Sequence, residues 1–416
     1  MRRKPLHLLK GHTVIKAIFL NRQTPPKIIT LTLIAGLSAL TMNIFLPSLP
    51  SMAAYFNAPY ALMQLSVALY LALSAVLQIL IGPISDRYGR RKTLLVSLAL
   101  FLLATVGTLL APNATAFLIF RMAQAVIASG MVLSRAVVRD MVSDNEAASM
   151  IGYVTMGMSL VPMIGPVIGG ALDQAFGWQA NFGLLLGLGV IVTALTWADL
   201  GETATLKRLS FKDQMRSYPS LLKSRRFWGY CGAAGFASGC FFAYIGGAPY
   251  VGTAVFHLGS ARIGQLFAIT AVGYMAGNFI AGRYSARLGM NKMVLIGTLT
   301  TSFGLGLLGL VTAMGLSGPF MFFSLTIFMG LGNGIALPSA NAGILSVRPD
   351  LAGTASGLGG AITVGGGALL AAIAGWVLPP GSTEMPLILL MLASSLLSVL
   401  CILAVIRRAR ALGLAP

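Results

Sequence analysis

Runs of about twenty apolar residues recur from one end of the chain to the other, with short polar stretches between them. At roughly 1.5 Å of rise per residue, a helix of that length crosses a hydrocarbon layer about 30 Å thick. Twelve runs are legible, near residues 28–50, 60–82, 93–111, 114–136, 148–171, 179–199, 228–250, 262–284, 292–314, 318–340, 353–378 and 385–406. Hydrophobic residues make up 56% of the 416 and charged residues 9%, with a mean hydropathy of +0.85. That leaves too few polar side chains to cover a soluble domain of this size. The expected fold is all-α and membrane-spanning.

The charges set the expected orientation. An even number of spans puts both termini on one side. Of the 29 Lys and Arg residues, 27 fall in the tails or in the alternate loops on that side. Arg121 and Arg262 are the exceptions. Cytoplasmic loops carry this excess, so both termini are expected in the cytoplasm of a cell with its chain in the inner membrane. The net charge of +19 sits in short loops and not on a soluble face, so nucleic acid is not an expected partner. Residues 1–27 read as a basic tail lying on anionic lipid, with an apolar stretch from Val14 to Leu20 too short to span. Residues 200–227 read as a cytoplasmic linker between a bundle at 28–199 and a second at 228–406, and 407–416 as a C-terminal tail.

The two halves share a motif. Gly82-Pro-Ile-Ser-Asp-Arg-Tyr-Gly-Arg-Arg-Lys92 returns 200 residues later as Gly282-Arg-Tyr-Ser-Ala-Arg-Leu-Gly-Met-Asn-Lys292. Gly82 and Gly89 can take the positive φ that a tight reversal needs. Asp86 is the acid among Arg87, Arg90, Arg91 and Lys92, and its counterpart is Ala286. Two copies at one offset, each between membrane-length runs, indicate two homologous halves.

Polar residues inside the spans are the candidate site. Asn43 and Arg121 both lie about 10 Å below the outer surface, at about 1.5 Å per residue, and could meet if their helices are adjacent. Gln124 sits one turn below Arg121, and Tyr70 lies on the second span. An intramembrane arginine usually faces a cavity or a partner; a structural lock onto backbone carbonyls is the competing reading. In the second half the polar positions are uncharged: Tyr244, Asn278, Asn333 and Asn341. Arg135, Arg139 and Asp140 end the fourth span and read either as interfacial charge or as a latch onto the 82–92 loop. In the fifth span Pro162 and Pro166 bend the helix, and Gly165, Gly169 and Gly170 admit a close neighbour. Gly273 and Gly277 are the expected partner surface. Thr354 or Ser356 is a candidate cap for the eleventh span, where Asp86 would be favourable against the helix dipole.

Other chemistry finds little support. Cys231, Cys240 and Cys401 lie in apolar runs without metal spacing, and the three histidines do not cluster. There is no phosphate-binding Gly-x-x-x-x-Gly-Lys-Ser/Thr string. No cofactor, metal or enzymatic activity is expected.

Taken together, the Gly82–Lys92 loop and its copy, Arg121 with Gln124, and Gly165-Pro-x-x-Gly-Gly170 resemble the major facilitator superfamily over about residues 28–406. Phe45-Leu-Pro-Ser-Leu-Pro50, Arg135-Ala-Val-Val-Arg-Asp140, Gly177-Trp178 and Ala352-Gly-Thr-Ala-Ser356 are similar to the bicyclomycin and chloramphenicol resistance (Bcr/CflA) branch of drug:proton antiporters. The resemblance implies two six-helix bundles rocking about a central cavity by alternating access. It implies that Asp86 and Arg87 help close the cytoplasmic side against the other half, that the fifth-span motif is antiporter-like, and that Arg121 is tied to proton coupling. It makes a small-molecule substrate, a proton and the lipid bilayer the expected partners of a monomeric exporter. One departure stands out. The branch usually carries aspartate where this chain has Asn43, and all ten acids lie in loops or at helix ends. Asparagine cannot titrate, so an uncoupled facilitator or uptake carrier is the alternative. Without a counter-charge for Arg121, the cavity is expected to be more positive than in relatives and to favour neutral or anionic substrates.

Overall fold

The computed structural model describes residues 18–141, 150, 154, 161, 164–203, 219–348 and 352–413. Among these, eleven helices are long and apolar enough to cross a membrane. They are α1 (Ile28–Tyr55), α2 (Tyr60–Tyr88), α3 (Arg90–Leu109), α4 (Ala114–Val138), α6 (Gln179–Asp199), α7 (Arg225–Val255), α8 (Ser260–Ser285), α9 (Met290–Ala313), α10 (Pro319–Ser346), α11 (Gly357–Trp376) and α12 (Met385–Ala411). Residues 164–176 form the described part of α5, and most of the rest of that expected span, Pro162 included, lies outside the described residues. The helical form follows from the solvent. Hydrocarbon offers no partner for backbone N–H and C=O groups, so each span must satisfy its own.

The expected 82–92 loop is shorter than the sequence suggests. Helix α2 runs through Gly82 and Pro83 to Tyr88, and α3 begins at Arg90. Gly89 alone makes the turn, at φ +95 and ψ 148. Its counterpart Gly289 does the same at φ +81 and ψ 155. This region of backbone space is essentially reserved for glycine. Gly82, expected to take a positive φ, is instead an ordinary helical residue, and so is Gly282. Pro47 interrupts α1 with a 3₁₀ turn over Leu46–Ser48.

Small residues set the packing within each half. In the first, Ser38 Oγ donates to the Ile127 carbonyl at 2.6 Å and Ser134 Oγ to that of Leu31 at 3.1 Å, tying α1 to α4. In the second, Gly273 and Gly277 of α8 lie against the backbone of Ile327, Leu331 and Gly334 in α10. They are therefore not the partner of α5. That partner is the start of α8: Gly170 faces the Ser260 carbonyl, and Gly264 faces that of Pro166.

Among the described residues, hydrogen bonds join the two halves at the end opposite the Gly89 and Gly289 turns. We call this the neutral end and the other the basic end. At the neutral end α5 crosses α8, and Tyr60 Oη of α2 donates to the Gly246 carbonyl of α7 at 2.6 Å. Helix α2 also follows α11, where Gln64 Nε2 donates to the Ala371 carbonyl at 3.1 Å.

Candidate functional site

Arg121 is the organising residue of the first half. It is fully buried, at 0% exposure. Asn113 caps α4 by accepting from the Ala116 N–H at 2.9 Å, which fixes the register that carries Arg121 inward. Its guanidinium donates to the Thr41 carbonyl at 2.9 Å, to Gln124 Oε1 at 2.9 Å and to the Ser66 carbonyl at 3.4 Å. The rings of Tyr70 and Phe45 stand 4.1 and 4.3 Å from its Cζ. Aromatic faces attract a cation, and the attraction grows when water is excluded. Gln124 passes the network on, donating from Nε2 to Thr105 Oγ1 at 2.8 Å. Arg121 thus joins α1 and α2 to α4 by carbonyls and rings, and reaches α3 through Gln124, which is the lock reading. Asn43 takes no part: its Nδ2 donates to the Ala39 carbonyl of its own helix at 2.7 Å.

The latch expected at the basic end forms inside the first half. Arg90 Nη1 lies 2.6 Å from Asp86 Oδ1, and Arg90 Nε lies 3.0 Å from Asp140 Oδ2. Arg90 also donates to Ser85 Oγ. Partial burial raises the Asp140 carboxyl above its ordinary value, while Arg90 pulls it back down. Arg87 is exposed and leans over the Tyr88 ring. Arg135 is half-buried nearby on α4, and the side chain of Arg139 lies outside the described residues.

Two acids at this end were read from the sequence only as loop or helix-end charges. Glu202 accepts from the Arg90 N–H at 2.8 Å and the Arg91 N–H at 3.2 Å, so a carboxylate sits on the positive end of α3. Asp199 is fully buried and accepts from the N–H groups of Leu20 and Lys27 and from Thr30 Oγ1. It holds the stretch before α1 against the end of α6. Nothing in the local sequence marked either acid, because their donors come from elsewhere in the chain.

The α5 motif is built for contact. A methyl on Gly169 would overlap the Ile44 carbonyl, and one on Gly165 would press on Leu40 at 3.3 Å and touch Asn43 Cβ at an ordinary 3.7 Å. Asp173, one turn on, is nearly buried and accepts from Ser51 Oγ at 2.9 Å.

The chain as a whole is similar to known proteins. The family model described as "Major Facilitator Superfamily" matches residues 31–299. The chain belongs to this superfamily. Among its relatives in the superfamily, an uncharacterised MFS-type transporter, YdgK of Bacillus subtilis, is 31% identical over 83% of this chain and 87% of its own length. A chloramphenicol resistance protein of Pseudomonas aeruginosa is 30% identical over 88% of each. The fold is also similar to the crystal structure of a bacterial homologue of the human lysosomal transporter Spinster, described as inward-facing and occupied. That match has a TM-score of 0.69 and 16% identity, covering 92% of this chain and 96% of the other.

In the second half of this superfamily member the expected site residues do not form one cluster. Tyr244 is buried and accepts from Thr270 Oγ1 at 3.2 Å, beside a 2.6 Å contact between Thr270 and Thr326. Asn278 donates to the Tyr274 carbonyl of its own helix at 2.9 Å. Asn333 donates to the Ala237 carbonyl of α7 at 3.1 Å, while Asn341 is exposed. Side chains of Thr354 and Ser356 lie outside the described residues, and Asp86 faces Arg90.

Proposed function

We propose that this transporter moves small amphipathic, drug-like molecules outward across a bacterial inner membrane, by alternating access and in exchange for protons. The basic end faces the cytoplasm, with the tail 1–27, the linker 200–227 and the tail 407–416 on that side of the bundles 28–199 and 228–406. The molecule works as a monomer. One observation carries the reading: among the described residues, cross-half hydrogen bonds join the two halves at the neutral end, while Arg90 at the basic end bonds to Asp86 and Asp140 of its own half. A joint at the neutral end supports the reading of a carrier that opens toward the cytoplasm, where an exported molecule would enter. A relative named for chloramphenicol resistance supports the substrate class. The Gly165–Gly170 string, similar to that of antiporters in the superfamily, supports the exchange. Asp86 and Arg87 would change partners when the basic end closes.

Asn43 favours a second reading, an uncoupled carrier. Proton exchange needs a group whose pKa differs between the two open states, and Asn43 offers only an amide held by the Ala39 carbonyl. Asp173, packed against Ser51 beside the closed end, is the carboxylate best placed to substitute. Uptake of a mixed drug panel into inverted vesicles, with a proton gradient imposed in either direction or absent, separates the readings. Accumulation that follows the gradient supports antiport. Flux that ignores it supports the uncoupled carrier, and Asn43→Asp is then expected to introduce pH dependence. No flux of any compound overturns both.

A further inference from the structure

The closed neutral end contains a device that no sequence motif marks. Tyr60 and Gln64 project from the first turns of α2 into the second half. Tyr60 Oη donates to the Gly246 carbonyl, and its ring packs 5.2 Å from that of Tyr250. Tyr250 Oη in turn donates to the Pro379 carbonyl at 2.9 Å, beyond α11. Gln64 is 1% exposed, and its Nε2 donates to the Ala371 carbonyl. Two glycines make the space for it. A methyl on Gly246 would overlap Gln64 Nε2, and one on Gly375 would come within 2.7 Å of Gln64 Cγ. A side chain at either position would force Gln64 out of its present place when α2 seats.

The amide is only half satisfied. Gln64 Oε1 is buried and has no hydrogen-bond partner among the described residues. Exchanging its O and N would set oxygen against the Ala371 carbonyl, so the present orientation is the one that bonds. A buried acceptor without a donor is costly, and the cost disappears when the group meets water. A permanent structural joint gains nothing from such a group. A joint that must open gains a built-in push toward release, balanced while closed by the Tyr60 and Gln64 donor bonds.

We infer that Tyr60 and Gln64 are the bolt of the neutral gate, and that Gly246 of α7 and Gly375 of α11 are the notch that receives it. The bolt draws on three helices from both halves, so seating it couples the closure of α2 to α7 and α11 together. It positions the halves and does not touch the cargo. The inference rests on the alternating-access reading but not on any particular substrate.

Thiol labelling of the full chain in liposomes tests it, with the native cysteines as baseline. The reporter is Ala371→Cys, a position fully buried at the joint. Adding Gly246→Ala is expected to speed labelling at least about tenfold, since the methyl displaces the Gln64 amide from its bond to the Ala371 carbonyl. Adding Gln64→Ala to that variant removes the clashing amide and is expected to bring labelling back toward the parent rate. Tyr60→Phe, which keeps the ring, is expected to speed labelling roughly 2- to 10-fold, the range one net hydrogen bond gives. Rescue by the second substitution is what a merely destabilised protein would not show. Parent-like labelling in both Gly246→Ala and Tyr60→Phe, or labelling in Gly246→Ala that Gln64→Ala leaves fast, would overturn the inference. Because labelling needs no substrate, a failed flux assay would sink the proposed function and leave this test standing.

Discussion

At the scale of single residues, Arg121 decides most. Its charge is met by the Thr41 and Ser66 carbonyls, by Gln124 and by two aromatic faces, all within the first half. A lysine has one compact ammonium and cannot reach these partners as a planar fork. Arg121→Lys is expected to destabilise by about 1–3 kcal/mol through partners left unsatisfied. Arg121→Ala is expected to cost about 3–5 kcal/mol, as when one member of a buried charged network is removed. Thermal melting of the purified protein measures both. Because the guanidinium is enclosed, the ratio of anionic to cationic drug uptake should stay at the parent value in any variant that still folds. A shifted ratio would return Arg121 to the cavity, where the sequence had suggested it. That Arg121 falls within a span was legible from the sequence. Enclosure was not, because Phe45, Tyr70 and Thr41 lie far away in the chain and their approach depends on how α1 and α2 pack.

At the scale of elements, the repeated motif is a pair of helix ends joined by one glycine, and the two glycines of each copy differ in kind. Gly89 and Gly289 sit at φ +95 and +81, and a methyl on Gly89 would also meet the Glu202 carboxylate. Gly82 and Gly282 have nothing within 4 Å of an added methyl. Gly89→Ala and Gly289→Ala are expected to cost about 1–3 kcal/mol each. Gly82→Ala and Gly282→Ala are expected to be neutral or to stabilise by up to about 1 kcal/mol, since alanine suits a helix interior better. Chemical denaturation of the four variants in detergent gives the comparison, and equal losses at all four would contradict it. The repeat told us that a turn exists in each half. It could not say which glycine turns, because both are compatible with a positive φ and only the helix that continues through Pro83 chooses between them.

At the scale of the whole molecule, the proposed alternating access requires the two halves to meet at the neutral end, where α5 and α8 touch backbone to backbone. Gly170 of α5 lies against the Ser260 carbonyl of α8, so Gly170→Ala puts a methyl where the other half must sit. Flux is expected to fall at least about tenfold, the factor that corresponds to ~1.4 kcal/mol of lost closure. Helical content by circular dichroism should be unchanged, since each bundle keeps its own packing. Gly183→Ala, with open space around it, is the control and should transport as the parent does. Flux retained in Gly170→Ala would mean that the neutral end closes some other way.

Hydropathy, charge placement and the repeat determined the helical membrane fold, its two related halves and the superfamily, because each is a property of composition and spacing along one dimension. The fate of individual polar groups was decided only in three dimensions. Asp140 found Arg90, Asp199 found the stretch before α1, Glu202 found the start of α3, and Gln64 found a notch on the far half. Hydrocarbon penalises every polar group without a partner but is indifferent to which partner it takes. That choice falls to helix packing, where a glycine at 169 or 170 sets how closely two backbones approach and one at 246 leaves room for a side chain.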